Sequence, residues 1–444
     1  MSAASPRRVV ITGLGVVSPL GNTLPDFWAA LAGGKSGVAP LQNLPELEGK
    51  VAFGGECRQF SGEIDDFGEL EKDLKKSIRK ALKMMCRESM MAVAAAQHAI
   101  ADGGYANTSM EPDRSGVVFG SDYMLSPPED FIDSMRAAGV GAGGFQFEKW
   151  GNDGLGGMNP LWMLSYLPNM PASHIAIFND LRGPNNSLTM REASGLLAIR
   201  EAVQTIERGH ADRMIAGATG TRIHSFKTVH ATQTEQLANP ELPPHEASRP
   251  FDAERTGMVV GEGAGAILLE ELESARARGA KIYGEVLSTG SSAVADANLK
   301  GAQRTALANA ARSALEAASR ERERPEESVG HISAHALGTK AGDAEEAAAL
   351  HEVLGPRAAE IPVVAAKSSF GNLGAGSGVV ETVASLLALG EGRLFPTLNY
   401  RTPDPQCRLN VSSASKALPA GESFLKLSIT PQGQAAALVV RRVE

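Results

Sequence analysis

Two rhythms of apolar and polar residues alternate along this chain. Short apolar or small-residue runs of strand length are followed by longer stretches with apolar positions three and four apart. Residues 7–19 (RRVVITGLGVVSP) and 115–121 (SGVVFGS) read as buried strands, the first running into a Gly-rich turn. Residues 73–104 carry helical spacing throughout and end in glycines, which predicts one long helix. Residues 139–158 are Gly-rich and predict an irregular surface segment. Residues 187–203 (SLTMREASGLLAIREAV) begin like a strand and turn into a helix. Leu196, Ile199, Val203 and Ile206 share one face of that helix, and Gly209 is its expected stop. A strand at 211–219 follows.

The second half repeats this rhythm. Strands are expected at 263–272 and 281–292, a helix at 301–319 and a solvated loop at 320–327. Two strand–turn–helix units then start at His331 and Ile361. Strands alternating with helices predict α/β layers with largely parallel sheets. The matching rhythm suggests an old duplication, divided as 1–262 and 263–444.

Composition narrows the function classes. The chain has 444 residues, 43% of them hydrophobic, enough for a large core; 48 glycines imply close packing and many tight turns. A net charge of -8 with mixed signs gives no basic surface, so no nucleic-acid partner is expected. Cys57, Cys86 and Cys407 are scattered without metal or disulfide spacing, which fits a reducing compartment and no metal. The beginning of the sequence lacks a signal-peptide core, and no run of apolar residues is long enough for a membrane span. A cytoplasmic protein is the expectation.

Nucleotide motifs fail on inspection. In ITGLGVVS the third fingerprint glycine is replaced by Ser18, and Pro19 follows where a helix should start. GVGAGG at 139–144 follows a helical pattern, and GKS at 34–36 has Ala29 at the earlier P-loop glycine. His98, His210 and His351 lie on helices or helix ends at no ligand spacing. The strand-to-helix turn at 191–192 is more informative. Enzymes often hold a nucleophile at such a turn, and here it holds Arg191 and Glu192.

Seven segments, in order and spanning nearly the whole chain, resemble the elongating β-ketoacyl-acyl-carrier-protein synthases of fatty-acid and type II polyketide synthesis. They are RRVVITGLGVVSPLGN, LRGPNNSLTMREASG, ASRPFDAERTGMVVGEGAGAILLEE, ARGAKIYGEV, ISAHALGTKAGDAEE, AAKSSFGNLGAGSGVVE and FPTLNY. The resemblance implies a thiolase-like fold: duplicated αβαβα halves with mixed, mostly parallel sheets, usually paired into a dimer. It also implies substrates carried on the phosphopantetheine arm of acyl carrier protein, with no bound cofactor.

In that family a cysteine at a buried helix N-terminus takes the acyl chain, a histidine pair aids decarboxylation of a malonyl thioester, and a buried lysine supports the histidines. Matching the motifs here puts Glu192 at the cysteine and His335 at the first histidine. Asn372 stands at the second histidine, Lys367 at the lysine, and Glu381 further down the same helix. Asp343 is a supporting residue beyond His335. The C-terminal Gly-rich loop is replaced by ITPQGQA, with Pro431 and Gln432 where an oxyanion donor and its neighbour would be. Arg191 is the expected substrate-side neighbour of Glu192.

These substitutions change the chemistry. A thiolate stores an acyl group as an exchangeable thioester, whereas a glutamyl anhydride would be too labile for a carrier. Proline has no N–H, and losing one oxyanion donor costs on the order of 10²–10³ in rate. Ordinary condensation is therefore not expected. An ionised Glu192 would repel a malonyl carboxylate unless it is protonated or neutralised by Arg191 or Lys367.

Three readings follow. The first is a chain-length-factor-like partner of a cysteine-bearing ketosynthase. The second is an enzyme of altered chemistry on acyl or malonyl thioesters (decarboxylation, hydrolysis or a non-standard carbon–carbon bond formation) using Glu192, His335 and Asn372. The third is a non-catalytic acyl-carrier-binding scaffold. Against each stands a plainer role: Glu192 as a helix cap, His335 and Lys367 as a retained polar network, Asn372 as a turn residue, Ser194 as an ordinary helix residue. Arg208, Arg213 and the 75–87 helix are carrier-docking candidates by charge.

Overall fold

The structure is a computed structural model that describes residues 7–44, 51–106, 110–141, 143–298, 300–319 and 329–443. The expected loop at 320–327 lies outside the described residues. The main sheet contains β1 (Val9–Val17), β2 (Ser115–Ser121), β3 (Asn185–Leu188), β4 (Arg213–Thr221), β5 (Glu262–Glu271), β6 (Gly284–Ala293), β7 (His331–Ser333), β8 (Pro362–Val364), β9 (Asn410–Val411), β10 (Ser423–Ile429) and β11 (Gln434–Arg441). Their order is β9-β8-β7-β10-β11-β6-β1-β5-β4-β2-β3.

That order is a duplication. Starting from β1, the first half runs β1-β5-β4-β2-β3; starting from β6, the second runs β6-β11-β10-β7-β8 with the short β9 added. In both, the two inner pairings are antiparallel and the outer ones parallel. The inner strands can be antiparallel because their connections return at one end of the sheet, while each outer strand is reached by a helical crossover. β1 and β6 join the halves through a short antiparallel register, Val9 opposite Val286 to Ile11 opposite Gly284. The expected division at 262/263 falls at the start of β5, a strand that pairs with β1 and β4.

Helices complete five layers. The outer layer of the first half is α1 (Arg87–Ile100) on β1, β5 and β4. The central layer holds α2 (Ser194–Glu207) and α5 (Ser377–Glu391), which touch each other and strands of both halves. The outer layer of the second half is α3 (Gln303–Ser319) and α4 (Lys340–Leu354). Leu196, Ile199, Val203 and Ile206 of α2 share one apolar core with Val379, Val380 and Val383 of α5. α2 ends at Glu207, with Gly209 just beyond it at φ 75°.

The glycine and alanine content is explained by helix-on-sheet distance. A Cβ at Gly15 would lie 1.9 Å from the Ala95 carbonyl oxygen of α1; the equivalent Gly290 on β6 would lie 2.1 Å from that of Ala310 on α3. Side chains at those positions would push the outer helices off both halves.

The predicted helix over 73–104 is broken. Lys72–Ala81 and Arg87–Ile100 are separate helices, because Met85 is extended at φ -113°, ψ 130°. Within the Gly-rich segment, residues 143–158 form short helical turns, mostly exposed, around glycines.

His331, at the start of β7, is fully buried and stacks on Phe424 with ring centroids 5.3 Å apart. Its Nδ1–H donates to the Ala420 carbonyl at 2.8 Å, and burial lowers its pKa to about 4. The unfolded ring takes up a proton below its ordinary value of 6.5, while the folded one resists until about 4. Stability contributed by this neutral ring is therefore lost as pH falls across that window. Urea midpoints measured against pH are expected to fall there, and His331→Gln is expected to flatten the slope by up to about 1.4 kcal/mol per pH unit.

Candidate functional site

Both central helices start at one place between the two halves. The chain leaves β3, makes a tight turn through Met190 and Arg191, and enters α2 through a single 3-10 turn, Arg191–Ala193. Arg191 has φ 49°, the left-handed region that non-glycine residues avoid. Ser194 Oγ holds the turn by accepting from the Met190 amide at 2.7 Å. This geometry carries Glu192 inward, where it is 1% exposed.

Glu192 is bound from three sides. Its Oε1 accepts from Arg222 Nη2 and, at 3.1 Å, from Asn372 Nδ2; its Oε2 lies 3.5 Å from Arg191 Nε. Burial favours the neutral acid, but Arg222 and Arg191 outweigh it and hold the carboxyl well below the usual carboxylate range. Arg222 is itself wholly buried, with Asp122 at 3.7 Å and Glu235 at 3.8 Å, and Arg191 Nη2 bonds Glu235 at 2.5 Å. The site thus contains an ionised carboxylate locked by two guanidiniums. Lys367, the other expected neutraliser, is committed elsewhere.

Asn372 serves two ends. Its Oδ1 accepts from the Gly374 amide and from Ser377 Oγ, both at 3.1 Å, which builds the turn into α5. Its Nδ2 faces Glu192 and lies 2.9 Å from Met258 Sδ.

His335 follows β7, and Ala336 next to it also has φ 49°. Glu346 of α4 accepts from the amides of His335 (2.6 Å) and Ala336 (2.7 Å) and so fixes this second left-handed turn. Asp343, one turn earlier on α4, holds the next part of the loop through the Gly338 amide (3.0 Å) and the Phe251 amide (2.8 Å). Burial raises Asp343 to about 7, against its amide partners and Arg255 at 3.5 Å.

Lys367 Nζ bonds the His335 carbonyl at 2.7 Å and Glu381 at 2.5 Å, and lies 3.5 Å from His335 Nδ1. Lys426 of β10 pairs with the other Glu381 oxygen; its Nζ also bonds the carbonyls of Leu427 (2.6 Å), Ala334 (3.1 Å) and Ser333 (3.4 Å). Burial first, then Lys367 and Lys426, keep His335 neutral, with a pKa well below 6.5. Its Nε2 has no hydrogen-bond partner among the described residues.

Pro431 and Gln432 form the tip of the β10–β11 hairpin, a type I turn closed by the Gly433 amide on the Thr430 carbonyl at 3.0 Å. Their backbone packs on Gly301: a Cβ there would be 2.4 Å from the Pro431 oxygen. Of the docking candidates, Arg208 is exposed, as are Lys76, Arg79 and Lys80 of the Lys72–Ala81 helix. Arg213 is held internally by Tyr105 and Ser274 at 2.6 and 3.1 Å.

Sequence reasoning missed Arg222, Glu235, Glu346 and Lys426. Arg222 had a signal: it ends the run MIAGATGT, small or apolar throughout, at the same sheet end as Glu192. Among the described residues no cluster of metal-binding side chains is present, and no helix is long and apolar enough to cross a membrane.

Two family models match this chain: the N-terminal domain of β-ketoacyl synthase over residues 6–275 and the C-terminal domain over 283–401. The chain belongs to the β-ketoacyl synthase family. It is 34% identical over 420 residues to 3-oxoacyl-[acyl-carrier-protein] synthase 2 of Synechocystis, covering 94% of each. It is 32% identical to the granaticin polyketide putative β-ketoacyl synthase 1 of Streptomyces violaceoruber, covering 99% of each. Two similar solved structures are the ishigamide ketosynthase/chain length factor and a type II polyketide synthase acyl-carrier protein in complex with its ketosynthase. They share 27% and 28% identity with this chain, each covering 99% of it and 100% of the solved chain, with TM-score 0.82. The fold is thus a thiolase-like ketosynthase fold, and the chain is a ketosynthase-like protein of fatty-acid or type II polyketide biosynthesis.

Lys426→Met would leave Glu381 with one cation and three carbonyls without their donor. The variant is expected to lose about 3–5 kcal/mol in urea denaturation. Removing a nearby positive charge also favours the imidazolium. The His335 titration, followed by 15N-histidine NMR, is therefore expected to move to higher pH.

Proposed function

We propose that this chain is a non-condensing subunit of a cytoplasmic, acyl-carrier-dependent synthase, paired with a cysteine-bearing ketosynthase as a chain-length factor would be. The lock on Glu192 carries this reading. A nucleophile must be free to attack and to leave, and a carboxylate bonded to Arg222 and Asn372 beside Arg191 is neither. Acyl and malonyl groups would arrive on the phosphopantetheine arm of a carrier protein, docked by exposed cations such as Arg208, Lys76, Arg79 and Lys80.

Two surface features support pairing with a second chain of this fold. β3 is an edge strand with one free side, and it leads directly into the Glu192 turn. Residues 123–178 expose large apolar side chains, among them Phe147 at 77% and Ile177 at 70%. In the same region a groove of about 330 Å³ is lined by Met124, Phe131, Trp162, Tyr166 and Phe226.

A second reading, altered chemistry on a thioester, is favoured by one observation: His335 Nε2 is buried without a partner, as a donor awaiting a carbonyl would be. Product analysis separates the two. The chain alone with malonyl- and acyl-carrier protein is expected to form no ketoacyl product and to release no acetyl-carrier protein. With a cysteine-bearing ketosynthase from its own organism, it is expected to form a heterodimer whose product length differs from the ketosynthase alone. Decarboxylation by the chain alone, abolished in Glu192→Ala, would instead establish the second reading. Homodimers alone, with no effect on any such partner, would leave the pairing reading without support.

A further inference from the structure

Three donor groups meet at the Glu192 carboxylate, and they are not all used: Arg222 Nε and Nη1 face Asp122 and Glu235 beyond hydrogen-bonding distance. Arg222 is 0% exposed; its Nη2 bonds Glu192, while its Nε and Nη1 have no hydrogen-bond partner among the described residues. Arg191 Nε, 3.5 Å from Glu192 Oε2, is likewise without one, and Oε2 itself accepts no hydrogen bond. Asn372 Nδ2 approaches from the turn that precedes α5 at 3.1 Å. A buried guanidinium, a largely buried one that also bonds Glu235, and a buried amide meet at one carboxylate, and these are the groups from which carboxylate receptors are made.

A thiol or an apolar side chain at position 192 would need none of this. A buried arginine is costly unless anions face it, and among the described residues the one acceptor within hydrogen-bonding distance of the Arg222 guanidinium is Glu192, its other carboxylates lying at 3.7 and 3.8 Å. Asp122 and Glu235 offset part of the charge from behind. Without Glu192, two arginines and those two carboxylates would remain, neutral in sum and positive on the face turned to position 192.

We propose that Glu192 is a tethered ligand: Arg222, Arg191 and Asn372 form a binding site for a small carboxylate, which the chain fills with its own side chain and so closes to others. The geometry sets the size. Glu192→Ala removes CH2–COO⁻, the outline of acetate, and Glu192→Gly removes one more carbon, the outline of propionate. The inference concerns this pocket only and holds whether or not the chain pairs with a ketosynthase.

The test uses the full-length chain, with sodium acetate, sodium propionate and acetamide as probes at ionic strength fixed with chloride. Glu192→Ala is expected to bind acetate with a dissociation constant on the order of 1 mM by calorimetry. Its thermal midpoint is expected to rise with acetate concentration. Propionate is expected to bind Glu192→Ala at least about tenfold more weakly, and the preference to reverse in Glu192→Gly. Wild type and Glu192→Gln, in which the space stays filled, are expected to bind neither anion, and acetamide is expected to bind none of the proteins. If Glu192→Ala does not fold in chloride, refolding in acetate but not in acetamide gives the same answer. A folded Glu192→Ala that ignores acetate overturns the proposal. So do an equal response from wild type and Glu192→Gln, and an Ala variant that neither chloride nor acetate can fold.

Discussion

A helix that starts in the middle of a protein must find acceptors for its first amides without help from water. This chain has that problem twice, because α2 and α5 both begin between the two halves. Neither helix has a side-chain cap of its own; each is entered through a 3-10 turn, and polar groups of the site hold the loops that lead into it. Ser194 and Ser377 take loop amides four residues back, those of Met190 and Leu373, and Asn372 caps the Gly374 amide. Glu192 brings a negative charge to the end of a helix that favours one. The polar groups of the candidate site sit where the architecture already demands polar groups.

The electrostatics divide into two compartments. Around Glu192 lie Arg191, Arg222, Asp122 and Glu235, an ionic cluster of two guanidiniums and three carboxylates. Around His335 lie Lys367, Glu381, Lys426 and Glu346, in which two ammoniums share one carboxylate and the histidine stays neutral. The compartments meet at the space between Glu192 and the unpartnered His335 Nε2. Each is steadied by a left-handed residue, Arg191 on one side and Ala336 on the other, so two strained tight turns flank the site.

The layered fold was legible because buried strands and amphipathic helices have different periods, and both repeat along the chain. The break at Met85 was not, since apolar spacing continues through it and only the backbone changes. Glu192, His335, Asn372, Lys367 and Glu381 could be found because each lies in a segment with a recognisable neighbourhood. Arg222 and Glu235 come from one segment and Lys426 from another, and their arrival at Glu192 and at Glu381 is a product of the sheet order, which no local pattern encodes. Asp343 is the expected supporting residue beyond His335, but the carboxylate that holds His335 is Glu346, one helical turn further on. Periodicity places both on α4 without saying which of them reaches the loop.

The duplication also governs how the chain comes into being. One apolar core runs from Val9 to Val440, and β1, the first strand, pairs with β6 in the second half. α2 leaves the ribosome long before α5, the helix that covers it. Until then the first half has an open face of leucine, isoleucine and valine, and contacts so far apart in sequence form slowly. Neither half buries its apolar face without the other, so a nascent chain carries that face uncovered until the second half has been made.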